Sequence, residues 1–225
     1  MLRLTGIGRR FPGGVEALRD VSLDIAERDF VALLGPSGCG KSTLLRLIAG
    51  LDAPDAGTLD WAGGSAPMPG QIGFVFQDPT LLPWATAEEN VFLPLRLGGF
   101  GRARAMDDVR TALARVGLAG FERARPRLLL MDEPFAALDE FTRHKLQADL
   151  LALWQTLGCT VVFVTHSIYE ASFLARRIVL MTPRPGRIAR EIASPLRPEA
   201  ETRLDPAYTA LVAEVTRAMA GVLAA

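Results

Sequence analysis

Histidine and cysteine are scarce in this 225-residue chain, with two of each. Cys39 and Cys159 lie far apart and fit no metal-ligand or CxxC spacing, which excludes a disulfide framework, a cysteine zinc site and a dithiol redox centre. They read as two reduced cytosolic thiols. A surplus of charge of either sign is also missing: Lys+Arg and Asp+Glu are both 25. Nucleic-acid binders draw affinity from neutralising phosphates, so this balance argues against nucleic acid as a partner while leaving a single nucleotide open. No apolar run approaches the roughly 18 residues that span a bilayer. The N-terminal MLRLTGIGRRF lacks the apolar core of a signal peptide. The chain is therefore expected to be soluble and to meet a membrane only through a partner. Internal repeats and low-complexity tracts are absent as well.

What remains is ordinary for a folded domain, 49% hydrophobic and 22% charged. Its length suits one large domain, or a core with a small insert. LRLTGIGRRF and VSLDI alternate at period two and GTLDW adds a third short strand, so the N-terminal third reads as β-rich. FVALLG and IGFVFQ are continuous apolar runs of the kind found in fully buried strands. KSTLLRLIAG has helical spacing, with Leu44, Leu45, Leu47 and Ile48 inward. Residues 88–120 turn helical, with Met106, Val109, Leu113 and Val116 on one face. Then follow a strand at LLLMDEP, a long amphipathic helix, a strand at TVVFVTH, a helix at IYEASFLA and a strand at RRIVLM. A PRPG turn leads into an edge strand, and an amphipathic helix ends the sequence. In that last helix the stripe Leu211, Val215, Met219 and Val222 reads as packing on its own domain, with a partner groove as the alternative. Buried strands alternating with helices predict an α/β fold, a mostly parallel sheet with helices on both faces. Such sheets bind ligands beyond the carboxyl ends of their strands.

GPSGCGKST, from Gly35 through Pro36, Ser37, Gly38, Cys39, Gly40, Lys41 and Ser42 to Thr43, matches the phosphate-loop pattern GxxxxGK[ST]. It lies between a predicted strand and a predicted helix, the context that pattern requires. Its glycines let backbone N–H groups wrap phosphate oxygens, Lys41 would reach the β- and γ-phosphates, and Ser42 would join a Mg²⁺ shell. Asp132 ends an apolar strand and suits a Mg²⁺ contact, and Glu133 is placed to polarise an attacking water. The bland alternative, that both acids cap a turn, would leave the loop without a metal partner. Gln77 and His166 each follow an apolar strand. Alone, either reads as a turn residue, but their repeated placement favours a shared site at one sheet edge.

In the order GPSGCGKST, FQDPTLLPW, LLLMDEPFAALD, VFVTH, these motifs resemble the ATP-binding subunit of an ABC transporter, over nearly the whole chain. The resemblance implies a P-loop NTPase core with an N-terminal antiparallel β subdomain. Residues 1–76 and 127–225 would form core and β subdomain, and residues 77–126 a shortened helical subdomain. It implies ATP and Mg²⁺ as ligands. Phe11 would stack on adenine, Gln77 would contact Mg²⁺ and water, and Asp132 and Glu133 would be the Walker B aspartate and the catalytic glutamate. Ala137, Leu138 and Asp139 would be the D-loop at a dimer interface, and His166 the switch histidine sensing the γ-phosphate. The implied partners are a second ATP-binding subunit (identical or different), a transmembrane permease docking near Gln77–Asn90, and indirectly a solute-binding protein. The implied location is the cytoplasmic face of the membrane. LLPW after Gln77 and MTPRPGRIAREI look most like importers of the nitrate, sulfonate and taurine group, and THSIYEASFLA is similar to subunits serving pyrimidine or thiamine-precursor uptake. Trp84 in LLPW reads equally as a loop anchor or as a permease contact, and His144 as solvent-facing.

One feature of the family is missing. Its members carry an LSGGQ-like signature at a helix start shortly before the Walker B strand, where N–H groups reach the γ-phosphate held by the opposite subunit. Here GLAGFE runs almost directly into RARPRLLLMDEP, and Gln77 and Asp132 are only 55 positions apart. Gly98-Gly99 reads as an interhelical loop rather than a displaced signature. The junction falls near Glu122–Ala124. The expectation is a subunit that binds Mg·ATP and hydrolyses it poorly or not at all, with apolar surface left open where the lost helix would lie. Two other readings compete: a non-catalytic nucleotide-binding or interaction module, and a soluble P-loop ATPase unrelated to transport.

Overall fold

The computed structural model describes residues 1–65, 71–77, 85–86, 88–90, 92, 101–102, 105–107, 109–110, 127–196 and 200–224. Within them, β1 (Leu2–Arg10), β2 (Glu16–Ile25) and β4 (Ala56–Trp61) form an antiparallel sheet in the order β2-β1-β4. A second sheet has the order β5-β6-β7-β3-β8-β9. It comprises β3 (Phe30–Leu34), β5 (Ile72–Val75), β6 (Leu128–Asp132), β7 (Thr160–Thr165), β8 (Arg177–Met181) and β9 (Ile188–Ala193). All its pairings are parallel except β8 with β9. Helices with both ends among the described residues are α1 (Lys41–Ile48), α2 (Glu140–Leu157), α3 (Ile168–Leu174) and α4 (Pro206–Ala224), with a 3-10 turn at Ala200–Leu204; residues 88–90, 92, 102, 105–107 and 109–110 are helical as well.

The apolar runs follow from the burial of the central strands on both faces. Every residue of β3, β6 and β7 is buried. Successive side chains alternate between two cores, as strand geometry requires. Phe30, Ala32, Leu34, Leu129, Met131, Val161 and Phe163 pack with α2, α3 and α4. Val31, Leu33, Leu128, Leu130, Val162 and Val164 pack with α1 and with β1 and β2. The expectation of helices on both faces is thus met, with α2, α3 and α4 on one and α1 on the other. The small antiparallel sheet shares the covering of that second face, because β1 and β2 turn Leu2, Leu4, Ile7, Leu18, Val21, Leu23 and Ile25 inward.

IGFVFQ is shorter and less buried than its apolar sequence predicts. Among the described residues β5 pairs only with β6, at the sheet edge, and of its own residues only Val75 is buried. Phe76, just past it, is half exposed. α4 is by length and composition apolar enough to cross a membrane, which corrects the reading that no such segment exists. Its Leu211, Val215 and Met219 are nevertheless buried against the sheet, and Val222 packs beside them, so its apolar face is used within the domain. His144 is exposed, as its place on α2 predicts. Phe92, Ala105, Met106 and Val109 form a separate small core, while Leu113 and Val116 lie outside the described residues. Trp84, Gly98-Gly99, the Glu122–Ala124 junction and most of the stretch between Gln77 and Asn90 also lie outside them.

Candidate functional site

The five parallel strands β5, β6, β7, β3 and β8 end at one sheet edge, and the polar residues gather beyond those ends. β3 delivers the loop Gly35–Gly40, β6 delivers Asp132 and Glu133, β7 delivers His166, and β5 delivers Gln77. A cavity of about 310 Å³ is lined there by Ser37, Gly38, Gly40, Lys41, Ser42 and Thr43 on one side, and by Gln77 and Glu133 on another. Phe11, Val15 and Ala17 close its far wall. That size is at the lower end for small-molecule sites.

The loop is shaped by backbone constraint. Gly40 stands before α1 at φ 107°, a conformation side chains rarely adopt, and no side chain caps the helix. The first N–H groups of α1 are therefore left for a ligand, with the positive end of the helix dipole behind them. Lys41 is buried, and its ammonium donates to the Gly35 carbonyl at 2.8 Å and the Pro36 carbonyl at 3.0 Å. The amine is thereby held across the loop that it would serve. Cys39 is buried in the loop and its thiol is pushed up by burial, with Lys41 pulling the other way. Cys159 is likewise buried and free, as two unpaired thiols predict.

Asp132 is buried at the end of β6, and the Ser42 hydroxyl lies near enough to bear on its carboxylate. Burial pushes the Asp132 carboxyl up, the Ser42 hydroxyl and Lys41 hold it down, and neighbouring Glu133 adds to the rise. A buried carboxylate beside a hydroxyl is a hard oxygen pair, the donor type that fits a magnesium ion. Glu133 has φ 47°, unusual for a non-glycine residue. Its N–H donates to the Val164 carbonyl at 3.0 Å, tying the turn to β7. Its carboxylate lies 3.0 Å from His166 Nδ1. Glu133 lines the cavity, and Asp132 is buried beside it; the cap of α2 is Asp139, which accepts from the Thr142 N–H at 3.0 Å.

Phe11 is 38% exposed on a tight turn, its N–H donating to the Val15 carbonyl at 2.8 Å, with the Arg9 guanidinium 5.5 Å from its ring centre. The ring is presented to the cavity, consistent with a stacking platform. Ala137 is exposed and Leu138 half-buried, and Arg143 donates to the Leu138 carbonyl at 2.7 Å, bracing the turn before α2. Sequence reasoning missed three cavity residues, Val15, Ala17 and Arg184. Arg184 had a usable signal, since it too follows an apolar strand.

The sequence profile described as ABC transporter matches residues 18–128. The chain is 43% identical to the taurine import ATP-binding protein TauB of Yersinia pestis, over 86% of this chain and 84% of that one. It is 38% identical to the nitrate import ATP-binding protein NrtD of Synechocystis, over 92% of this chain and 87% of the relative. That alignment runs 232 positions, more than the 225 residues of this chain, so it contains gaps facing the relative. Among solved structures, a dimeric ATP-binding cassette in a post-hydrolysis state with ADP and Pi is similar, with TM-score 0.60, 30% identity, and coverage of 86% of this chain and 98% of the cassette.

Proposed function

Since the chain belongs to the ABC transporter family, as an ATP-binding subunit of the importer type, we propose that it binds Mg·ATP at the cavity beyond β3 and β6 and couples that binding to solute uptake through a membrane permease. Taurine, another sulfonate or nitrate is the favoured solute, supported by the names of the relatives at 43% and 38% identity. The observation that carries the proposal is the convergence of the phosphate loop, Gln77 and Glu133 on one cavity, with Asp132 buried next to Glu133 at the end of β6.

Each residue then has a task. The glycine loop and the start of α1 hold the phosphates by N–H groups, and Lys41 exchanges its carbonyl partners for phosphate oxygens. Ser42, Asp132 and Gln77 would hold a magnesium ion, which would supply positive charge to offset that of the phosphates. Phe11 stacks on the adenine. Glu133 orients a water and accepts its proton, and His166, 3.0 Å from that carboxylate, fixes its direction. Residues 1–76 and 127–225 act as core and β subdomain, and residues 77–126 as a shortened helical subdomain facing the permease. A pair of subunits on the cytoplasmic side of the membrane is the working unit.

A second reading, a subunit that binds nucleotide without turning it over, is favoured by the lack of any LSGGQ-like segment in the sequence. The first test is a thermal melt of the purified chain with and without Mg·ATP, with Lys41→Ala as control. A ligand-dependent rise lost in the variant is expected, about 2.7 kcal/mol of stabilisation at a hundredfold excess over Kd. An unchanged melt would overturn the nucleotide site.

A further inference from the structure

Four parallel strands deliver the residues discussed above, and the fifth, β8, ends at the same sheet edge in the turn Thr182–Arg187. This turn is pressed onto the phosphate loop. The Gly186 N–H donates to the Ala17 carbonyl at 2.9 Å, and the Arg19 N–H donates to the Gly186 carbonyl at 3.0 Å, tying the turn to β2. A side-chain carbon at Gly186 would collide with the Cys39 carbonyl oxygen. Thr182 braces the turn from inside, its hydroxyl accepting from the Arg187 N–H at 3.0 Å and donating to the Pro185 carbonyl at 3.1 Å. The position of Arg184 follows from this packing. Its Nε donates to the Gly38 carbonyl at 3.1 Å, and the residue joins Ser37, Lys41 and Ser42 in lining the cavity.

We infer that Arg184 is a phosphate-binding residue of this site, supplied by the β8–β9 turn in addition to the phosphate loop. Three observations lead there. Arg184 forms no ion pair with a carboxylate among the described residues, although its chain neighbour on β8, Arg177, forms two, with Asp29 and Glu191. Its Nε is anchored on the loop, which leaves the two Nη groups of a planar, permanently charged fork for an anion; that fork matches two phosphate oxygens at once. The wall it shares is lined by loop N–H groups and the Lys41 ammonium, a setting that favours a polyanion over any neutral ligand. The inference rests on the nucleotide reading given above.

The test is equilibrium binding of Mg·ATP, Mg·ADP and adenosine to the full chain, to Arg184→Ala and to Arg184→Lys, with melts in the absence of ligand. Arg184 is exposed, so all three proteins are expected to melt alike without ligand. Arg184→Ala is expected to weaken Mg·ATP and Mg·ADP about five- to tenfold and leave adenosine unchanged; Arg184→Lys restores only part, because it keeps the charge without the fork. Equal Mg·ATP affinity in Arg184→Ala overturns this inference alone, and so does a loss that extends equally to adenosine. No Mg·ATP binding by the unaltered chain overturns both it and the nucleotide site.

Discussion

A methyl group on Gly40 would land 2.7 Å from Leu18 Cδ2 and 2.8 Å from the Ala17 carbonyl oxygen, at a φ of 107° that disfavours any side chain. Gly63 has a similar φ of 97° but nothing within 4 Å of such a methyl. The two positions separate conformational strain from collision. Gly63→Ala is expected to cost about 1 kcal/mol, the αL penalty alone, and Gly40→Ala roughly 3 kcal/mol or more, because overpacking adds to it. Chemical denaturation of the two variants measures the difference, and equal losses would show that the loop yields around Gly40. Asp132 allows a second comparison. Its folded-state carboxyl is raised, mainly by burial, so ionisation weakens the fold. That cost is absent below the unfolded-state value, where both states are protonated, and grows as pH rises through the raised folded one. Asp132→Asn is therefore expected to melt above the unaltered chain at neutral pH without magnesium, and the gap to close in acid. It should also lose the stabilisation by Mg·ATP. A lower neutral-pH melt for the variant would mean that the lost attraction to Lys41 outweighs the relief of burial.

At the scale of elements, much was legible because the signals were periodic. FVALL, LLLMD and TVVFVT read as buried strands and are buried at every position. The gathering of the phosphate loop, Gln77 and Glu133 round one cavity was legible because each follows a strand or fits a motif, whereas Phe11 came only from the resemblance. IGFVFQ misled because apolar content does not say whether a strand has one neighbour or two; β5 has one among the described residues. The covering of one sheet face by β1 and β2 was illegible because it depends on long-range register, Leu2 opposite Ile25 and Leu4 opposite Leu23, which no local pattern encodes. Arg184 was overlooked because its strand ends in a proline-glycine turn, which reads as punctuation. The helix α4 offers a test of the packing reading. Leu211 is 3% exposed and Leu223 is 54% exposed on the same helix. Leu211→Ala is expected to cost about 2–5 kcal/mol, and Leu223→Ala less than about 0.5 kcal/mol. If the helix instead served a partner groove, truncating Leu211 would leave the stability of the isolated chain unchanged.

For the whole molecule, the open step is turnover. Glu133 and His166 are in place within one chain, and the phosphate loop is formed. What the sequence lacks is the glycine-rich helix start that a second subunit would aim at the γ-phosphate, and the alignment gaps against the nitrate relative fit a lost segment. Donors of that kind act where charge develops in the transition state, and losing one costs about 10²–10³ in kcat in well-studied cases. Binding, on the proposed reading, would rely on the loop, Lys41 and Phe11, all within this chain, and on a magnesium ion that Ser42 and Asp132 would hold. Affinity and turnover should therefore separate. Phosphate release at saturating Mg·ATP is expected to be near that of Glu133→Gln, while nucleotide still raises the melting temperature. Inserting the signature-bearing segment of the taurine relative at the Glu122–Ala124 junction should raise turnover at least a hundredfold with little change in affinity. It should also make the rate depend on subunit concentration, because the added donors act across a pair. If the unaltered chain already turns over as fast as the grafted one, the missing segment is not what limits hydrolysis, and the γ-phosphate must be stabilised by groups already in the chain.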